Sequence, residues 1–148
     1  MIFEKRSRIA APPERVWAFH EAPDAFERLT PPWEDTKVVE KSRGLGVGAR
    51  TVVDTKVGPF TQRLVAVHTA CEPGRMFRDE MVSGPFARWA HTHSMTSDGE
   101  GGTWLVDHIE YELPLGVLGR LGGGWFVRRK LERMFTYRHR VTREACEP

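Results

Sequence analysis

RWAHTHSMTSDGEGGTWLVDHIEYE (Arg88–Glu112) decides the fold. The stretch alternates with period two on both sides of a glycine-rich breaker, so it reads as two antiparallel strands joined by a hairpin turn. Trp89, His91, His93 and Met95 share one face with Thr103, Leu105, Asp107, Ile109 and Tyr111. The opposite face carries Arg88, His108, Glu110 and Glu112, which belong in water. The first set therefore faces inward, and it includes two imidazoles and a carboxylate.

The same period extends upstream. Strands are expected near 36–42, 48–57, 60–71, 75–82, 86–97 and 102–113, punctuated by RGLGVG, VGP, CEPG, SGP and SDGEGG. Such short connections make an antiparallel meander. Ahead of it, Phe3 to Ile9 reads as a strand with mixed faces. AAPPERVWAFHEAP reads as a helix, with proline and Glu14 suited to its first turn. DAFERLT is a second short helix. After the meander, LPLGVLGRLGGGW is rich in breakers. The Gly122–Gly124 run predicts a loop or mobile flap over 114–124. A helix is expected from Trp125 to about Arg143, with Val127, Leu131, Met134, Phe135 and Val141 at helical spacing. The fold class is thus α+β: about seven antiparallel strands, two short helices after the first, and a long C-terminal helix covering the apolar face. One domain over residues 1–148 suits the length.

Turn length suggests a register. If Met95 opposes Thr103, then His93 opposes Leu105 and His91 opposes Asp107, with Cβ atoms roughly 4.5–5.5 Å apart. Phe77, Asp79 and Met81 of the preceding strand share the inward parity, and the SGP turn brings Asp79 near Trp89 or His91. The expectation is a polar line, Asp79–His91–Asp107, across an apolar face. In the strand before that, Phe60, Leu64, Ala66 and His68 are the preferred inward set.

Such a line admits four uses. It can be a satisfied hydrogen-bond network that fixes register. It can orient one polar group of a mostly apolar ligand. It can be an acid/base pair, His91 tuned by Asp107. The fourth use is metal binding, in which the HxH pair needs a third ligand, with His68, Asp79 or Asp107 available. No glutamate follows at the spacing of a cupin half-motif, and no metal or cofactor is assigned.

The bulk numbers exclude some classes. A formal net charge of +2 gives no global pull toward nucleic acid. No apolar run reaches membrane-spanning length, and the first residues, MIFEKRSRIAAPPE, lack a secretory apolar core. Cys71 and Cys146 make no disulfide framework, so a reduced cytoplasmic setting is expected. VRRKLERMF and YRHRVTR give the last helix a basic face, but Glu132 and Glu144 interrupt it. A solvated face is expected, with no nucleic-acid partner and no stable membrane insertion. RGLGVGAR follows no Rossmann pattern and reads as a turn.

LTPPWE (Leu29–Glu34), GPF (Gly84–Phe86), WAHTHSM (Trp89–Met95), DHIEYELPLG (Asp107–Gly116) and FTYRH (Phe135–His139), in this order of elements, resemble the SRPBCC superfamily. This group includes START domains, birch-pollen-allergen-like proteins and polyketide cyclase/dehydrases. The resemblance implies a helix-grip fold, a curved sheet around the C-terminal helix with a deep apolar cavity between them. It does not imply one activity.

The expected function is binding of a small hydrophobic or amphipathic molecule in that cavity. Phe77, Met81, Trp89, Met95, Leu105 and Ile109 would form walls. Asp79, His91, His93, Asp107 and Tyr111 would orient the ligand. Trp33, in a proline-stiffened loop, either anchors that loop or gates the mouth. The alternative is a cyclase/dehydratase-type enzyme. In it His91 takes a proton from a carbon acid, Asp107 holds its tautomer, and Tyr111 or His93 donates to oxygen. A third class is an interaction module whose interior is only core. Oligomeric state is not assigned.

Overall fold

A computed structural model describes residues 1–148. Its elements are β1 (Ile2–Ile9), α1 (Pro13–Glu21), α2 (Ala25–Leu29), β2 (Thr36–Lys41), β3 (Arg50–Val57), β4 (Phe60–Glu72), β5 (Met76–Ser83), β6 (Arg88–Ser97), β7 (Thr103–Glu112) and α3 (Gly116–Cys146). The strands form one antiparallel sheet in the order β1-β7-β6-β5-β4-β3-β2. β2 to β7 are thus a continuous meander, and β1 closes the far edge by pairing with β7. Irregularities in β4, between Val65 and Ala66 and between His68 and Ala70, bend the sheet. This is the helix-grip, START-like fold.

The mixed faces of β1 resolve simply. Phe3 and Ile9 are buried, whereas Lys5, on the same face, reaches Glu132 of α3. α1 begins on proline as expected and buries Val16, Trp17, Phe19 and His20. α3 buries Leu131, Phe135, His139, Thr142 and Cys146. Those spacings of three and four make one stripe, and the stripe packs on β1, β7, α1 and α2. One core centres on Ile9, Val16, Trp17, Phe77, Met95 and Leu105. A second joins Phe3, Ile109 and Tyr111 to Leu131 and Phe135.

Three expectations are corrected. The β6–β7 register is slipped by two: Met95 opposes Leu105, His93 opposes Asp107, His91 opposes Ile109 and Trp89 opposes Tyr111. A slip of two keeps every side chain on its predicted face. The pairing adds Ser97 opposite Thr103, with Asp98 closing the turn by accepting from the Glu100 and Gly102 amides. The second correction is that no flap precedes the helix. α3 starts at Gly116, right after Leu115 in a left-handed conformation (φ 68°), and runs through the glycine triplet. Glycine costs about 1 kcal/mol per residue relative to alanine in a helix, a local penalty that the anchored C-terminal turns of a 31-residue helix outweigh. The first turns leave Leu115, Val117, Leu118, Leu121, Trp125 and Phe126 exposed. Third, Phe60 is 74% exposed, so the inward set of β4 begins only at Leu64.

Candidate functional site: a buried histidine–aspartate cluster

β6 and β7 place His93 opposite Asp107, and β5 places Asp79 opposite His91. Side chains from adjacent pairs reach one another diagonally. His91 Nε2–H donates to Asp107 Oδ1 at 2.7 Å. His93 lies between the carboxylates, its Nδ1 3.0 Å from Asp107 Oδ1 and its Nε2 donating to Asp79 Oδ2 at 3.0 Å. The line is therefore Asp79–His93–Asp107, joined by a hydrogen bond at Asp79 and an ion-pair contact at Asp107. The expected Asp79–His91–Asp107 line follows from the wrong register and keeps only its His91–Asp107 half. His91 Nδ1 stands 3.9 Å from Asp79 Oδ2, beyond hydrogen-bond reach. The two rings overlap, with centroids 3.6 Å apart, and Phe77 stacks on the other side of His93.

The helices add residues that strand periodicity could not reveal. His139 of α3 donates Nε2–H to Asp107 Oδ2 at 2.6 Å, and its Nδ1 accepts from the Ser7 hydroxyl at 2.8 Å. Asp107 is only 4% exposed and faces three imidazoles. His20 of α1 donates Nδ1–H to the Val16 carbonyl, which leaves Nε2 as a lone pair. A slot of about 10 Å³ lies among His20, Leu29, His93, Leu105, Asp107, Arg138, His139 and Thr142. That is room for one oxygen atom. Arg138 Nε is buried there without a hydrogen-bond partner. The signal for these groups lay in the phase of two helices: His20 falls one turn after Val16, and His139 one turn after Phe135.

Burial and pairing set the charges. Burial would lower His93, but hydrogen bonds to Asp107 and Asp79 and their negative charge push it up to about 9. His91 is lowered by burial and by the neighbouring His93 charge, against the pull of Asp107. Burial raises Asp107, but its bonds to His139, His91 and His93 win and hold it well below the usual carboxylate range. Asp79 is likewise lowered, by His93 and His91 against burial. Burial brings His20 down to about 4 and lowers Arg138. At neutral pH the cluster is thus a His93 imidazolium between two carboxylates, flanked by the neutral His91 and His20 rings. It can hold charge, orient a polar group or bind a cation. Asp79, His91 and His93 each offer one ligand atom within 4.8 Å of the others.

The remaining predicted site residues divide by packing. Phe77, Met95, Leu105, Ile109 and Tyr111 are buried in the two cores. Met81 and Trp89 are half-buried, as is Leu64 of β4. A Cβ built on Gly84 would meet Met81 and Leu64 side chains, so these three line one apolar wall. Trp33 is 42% exposed and packs edge-on against Tyr137, with the Arg133 guanidinium over its ring. That contact ties its loop to α3.

Comparison with known proteins agrees with this architecture. No curated protein matches the chain in sequence. A START superfamily protein from Mycobacterium smegmatis is similar at 13% identity and TM-score 0.71, over 99% of this chain and 97% of that one. An aromatase/cyclase from a Streptomyces species is similar at 16% identity and TM-score 0.65, over 98% and 90%. A nucleoside-diphosphate sugar epimerase from Corynebacterium glutamicum is similar at 24% identity and TM-score 0.73, over 96% of this chain but 28% of that one. These likenesses show the fold. The model of the polyketide cyclase / dehydrase and lipid transport family matches residues 9–135, and the chain belongs to that family.

Proposed function

We propose that the protein binds one small amphipathic molecule on the inner face of the sheet. The observation that carries this reading is a polar cluster beside an apolar wall that α3 does not fill. α3 packs mainly on β1, β7, α1 and α2, while Leu64, Met81 and Trp89 on β4 to β6 stay half-buried. The apolar body of the ligand lies on that wall, where each buried methylene is worth about 0.8 kcal/mol. Its polar end meets the slot, taking a hydrogen bond from Arg138 Nε and giving one to His20 Nε2. Only an oxygen-sized group enters, because the slot is small. The family's range of ligand binding and cyclase chemistry supports this reading.

The 2.7 Å His91–Asp107 bond favours a second reading, acid/base catalysis of the cyclase/dehydratase type. The two separate by turnover: an enzyme loses it in His91→Ala while ligand binding persists.

Thermal unfolding with a panel of small amphipathic molecules tests the first reading. A ligand at a hundred times its Kd adds about 2.7 kcal/mol of stability. The Met81→Ser/Trp89→Ser double variant is expected to lose that gain.

A further inference from the structure

We infer that Asp79, His91 and His93 form a binding site for one divalent transition-metal ion of the zinc, cobalt or iron class. Two carboxylates, the buried Asp107 and the partly buried Asp79, have only imidazoles as ion-pair partners within 4 Å, and the Arg138 guanidinium acts on both only through its charge from farther off. Such a pair attracts a cation. The place for it is set by geometry. His91 Nδ1, His93 Nε2 and Asp79 Oδ2 all lie within 4.8 Å of one another. Metal–nitrogen and metal–oxygen bonds of ~2.1 Å place two ligand atoms of one tetrahedral ion ~3.4 Å apart. The observed spacings from Asp79 Oδ2, 3.0 Å to His93 Nε2 and 3.9 Å to His91 Nδ1, straddle that value.

The second argument concerns the other ring nitrogens. His91 points Nε2 and His93 points Nδ1 at the same Asp107 oxygen, at 2.7 and 3.0 Å. A carboxylate on the far nitrogen fixes the tautomer of a metal-binding histidine and raises its donor strength. With Nε2–H given to Asp107, His91 turns an Nδ1 lone pair toward an Asp79 oxygen that is also an acceptor. No hydrogen bond can join them at 3.9 Å, and a cation between them satisfies both. His139 bonds the second Asp107 oxygen, at 2.6 Å, and holds that carboxylate in place. The metal replaces one contact, the His93–Asp79 hydrogen bond, and the proton on His93 Nε2 leaves to solvent as the metal takes its lone pair. Two imidazoles and one carboxylate suit zinc, cobalt or iron rather than magnesium or calcium, and three protein ligands leave a position for an exogenous oxygen.

The test is titration of chelator-treated full-length protein with Co(II), read by visible absorption. The expected result is a one-to-one site with ligand-field bands, displaced by Zn(II). Binding should be lost in Asp79→Asn and weakened about 10–100-fold in Asp107→Asn. It should be unchanged in His108→Gln, which removes a surface imidazole beside Glu4. Because the variants alter a buried network, histidine ring proton NMR with Zn(II) serves as a second measurement in the unmodified protein. Zinc-induced shifts at His91 and His93 support the site. No one-to-one Co(II) complex, Co(II) binding retained by folded Asp79→Asn, or ring resonances at His91 and His93 unmoved by zinc would overturn it.

Discussion

His139 of α3 and His91 of β6 bind opposite oxygens of the same Asp107 carboxylate, at 2.6 and 2.7 Å. This one side chain of β7 thereby ties the terminal helix to the middle of the sheet. Asp107→Asn keeps the shape but removes the charge that three imidazoles face. Breaking a buried ion pair in this way costs about 3–5 kcal/mol. Urea denaturation followed by circular dichroism is expected to show that loss. A cost under 1 kcal/mol would mean the network is not closed as described.

The pH dependence of stability follows from two histidines with opposite shifts. His93 is raised from 6.5 to about 9, so its contribution is fully present below 6.5 and fades as pH climbs through 9. The shift corresponds to about 3 kcal/mol. His20 is lowered from 6.5 to about 4, so its contribution is present above 6.5 and is lost as pH falls toward 4. Denaturation midpoints between pH 4 and 10 are expected to peak near neutrality. His93→Gln should flatten the alkaline limb, and His20→Gln should reduce the fall from pH 6.5 to 4.

The glycine triplet gives a sharp check on helix α3. A Cβ on Gly122 meets nothing within 4 Å, and its backbone is not left-handed. Gly122→Ala is therefore expected to stabilise the protein by about 0.5–1 kcal/mol. A mobile flap in this segment would give a far smaller gain. Thermal melts of the two proteins decide it.

Phe135 sits at 1% exposure against Phe3 and edge-on to the His91 ring. Phe135→Ala removes a ring from the second core and should cost about 3–5 kcal/mol. It should also disturb the His91 ring resonances, since the Phe135 ring meets His91 edge-on.

These residues show what the sequence could and could not reveal. Strand parity is a period-two property, so Asp79, His91, His93 and Asp107 were legible as inward-facing from alternation alone. Register depends on where a turn closes, and the two-residue slip at Asp98 moved the partner of Asp107 from His91 to His93. Parity is blind to a slip of two. His20 shares helical spacing with Val16 and Trp17, and Tyr137 or Arg138 could be expected to reach back toward the sheet. The rotation of each helix about its axis is fixed by packing, however, so sequence alone did not bring His20, Arg138 and His139 to this cluster. The breaker reading of Gly122–Gly124 failed because propensity is local, while a helix anchored at Leu131, Phe135 and His139 propagates past weak positions.

Native mass spectrometry of the protein and its Gly84→Leu variant, each incubated with a mixture of small amphipathic molecules, tests the central claim most directly. A Cβ at Gly84 falls 2.5 Å from Met81 Sδ and 3.5 Å from Leu64 Cγ, so a leucine there displaces the Met81 side chain and reshapes the proposed wall. The account predicts an organic adduct on the unmodified protein that denaturation removes and that Gly84→Leu lacks. A bare mass for the unmodified protein, or the same adduct on both, would contradict it.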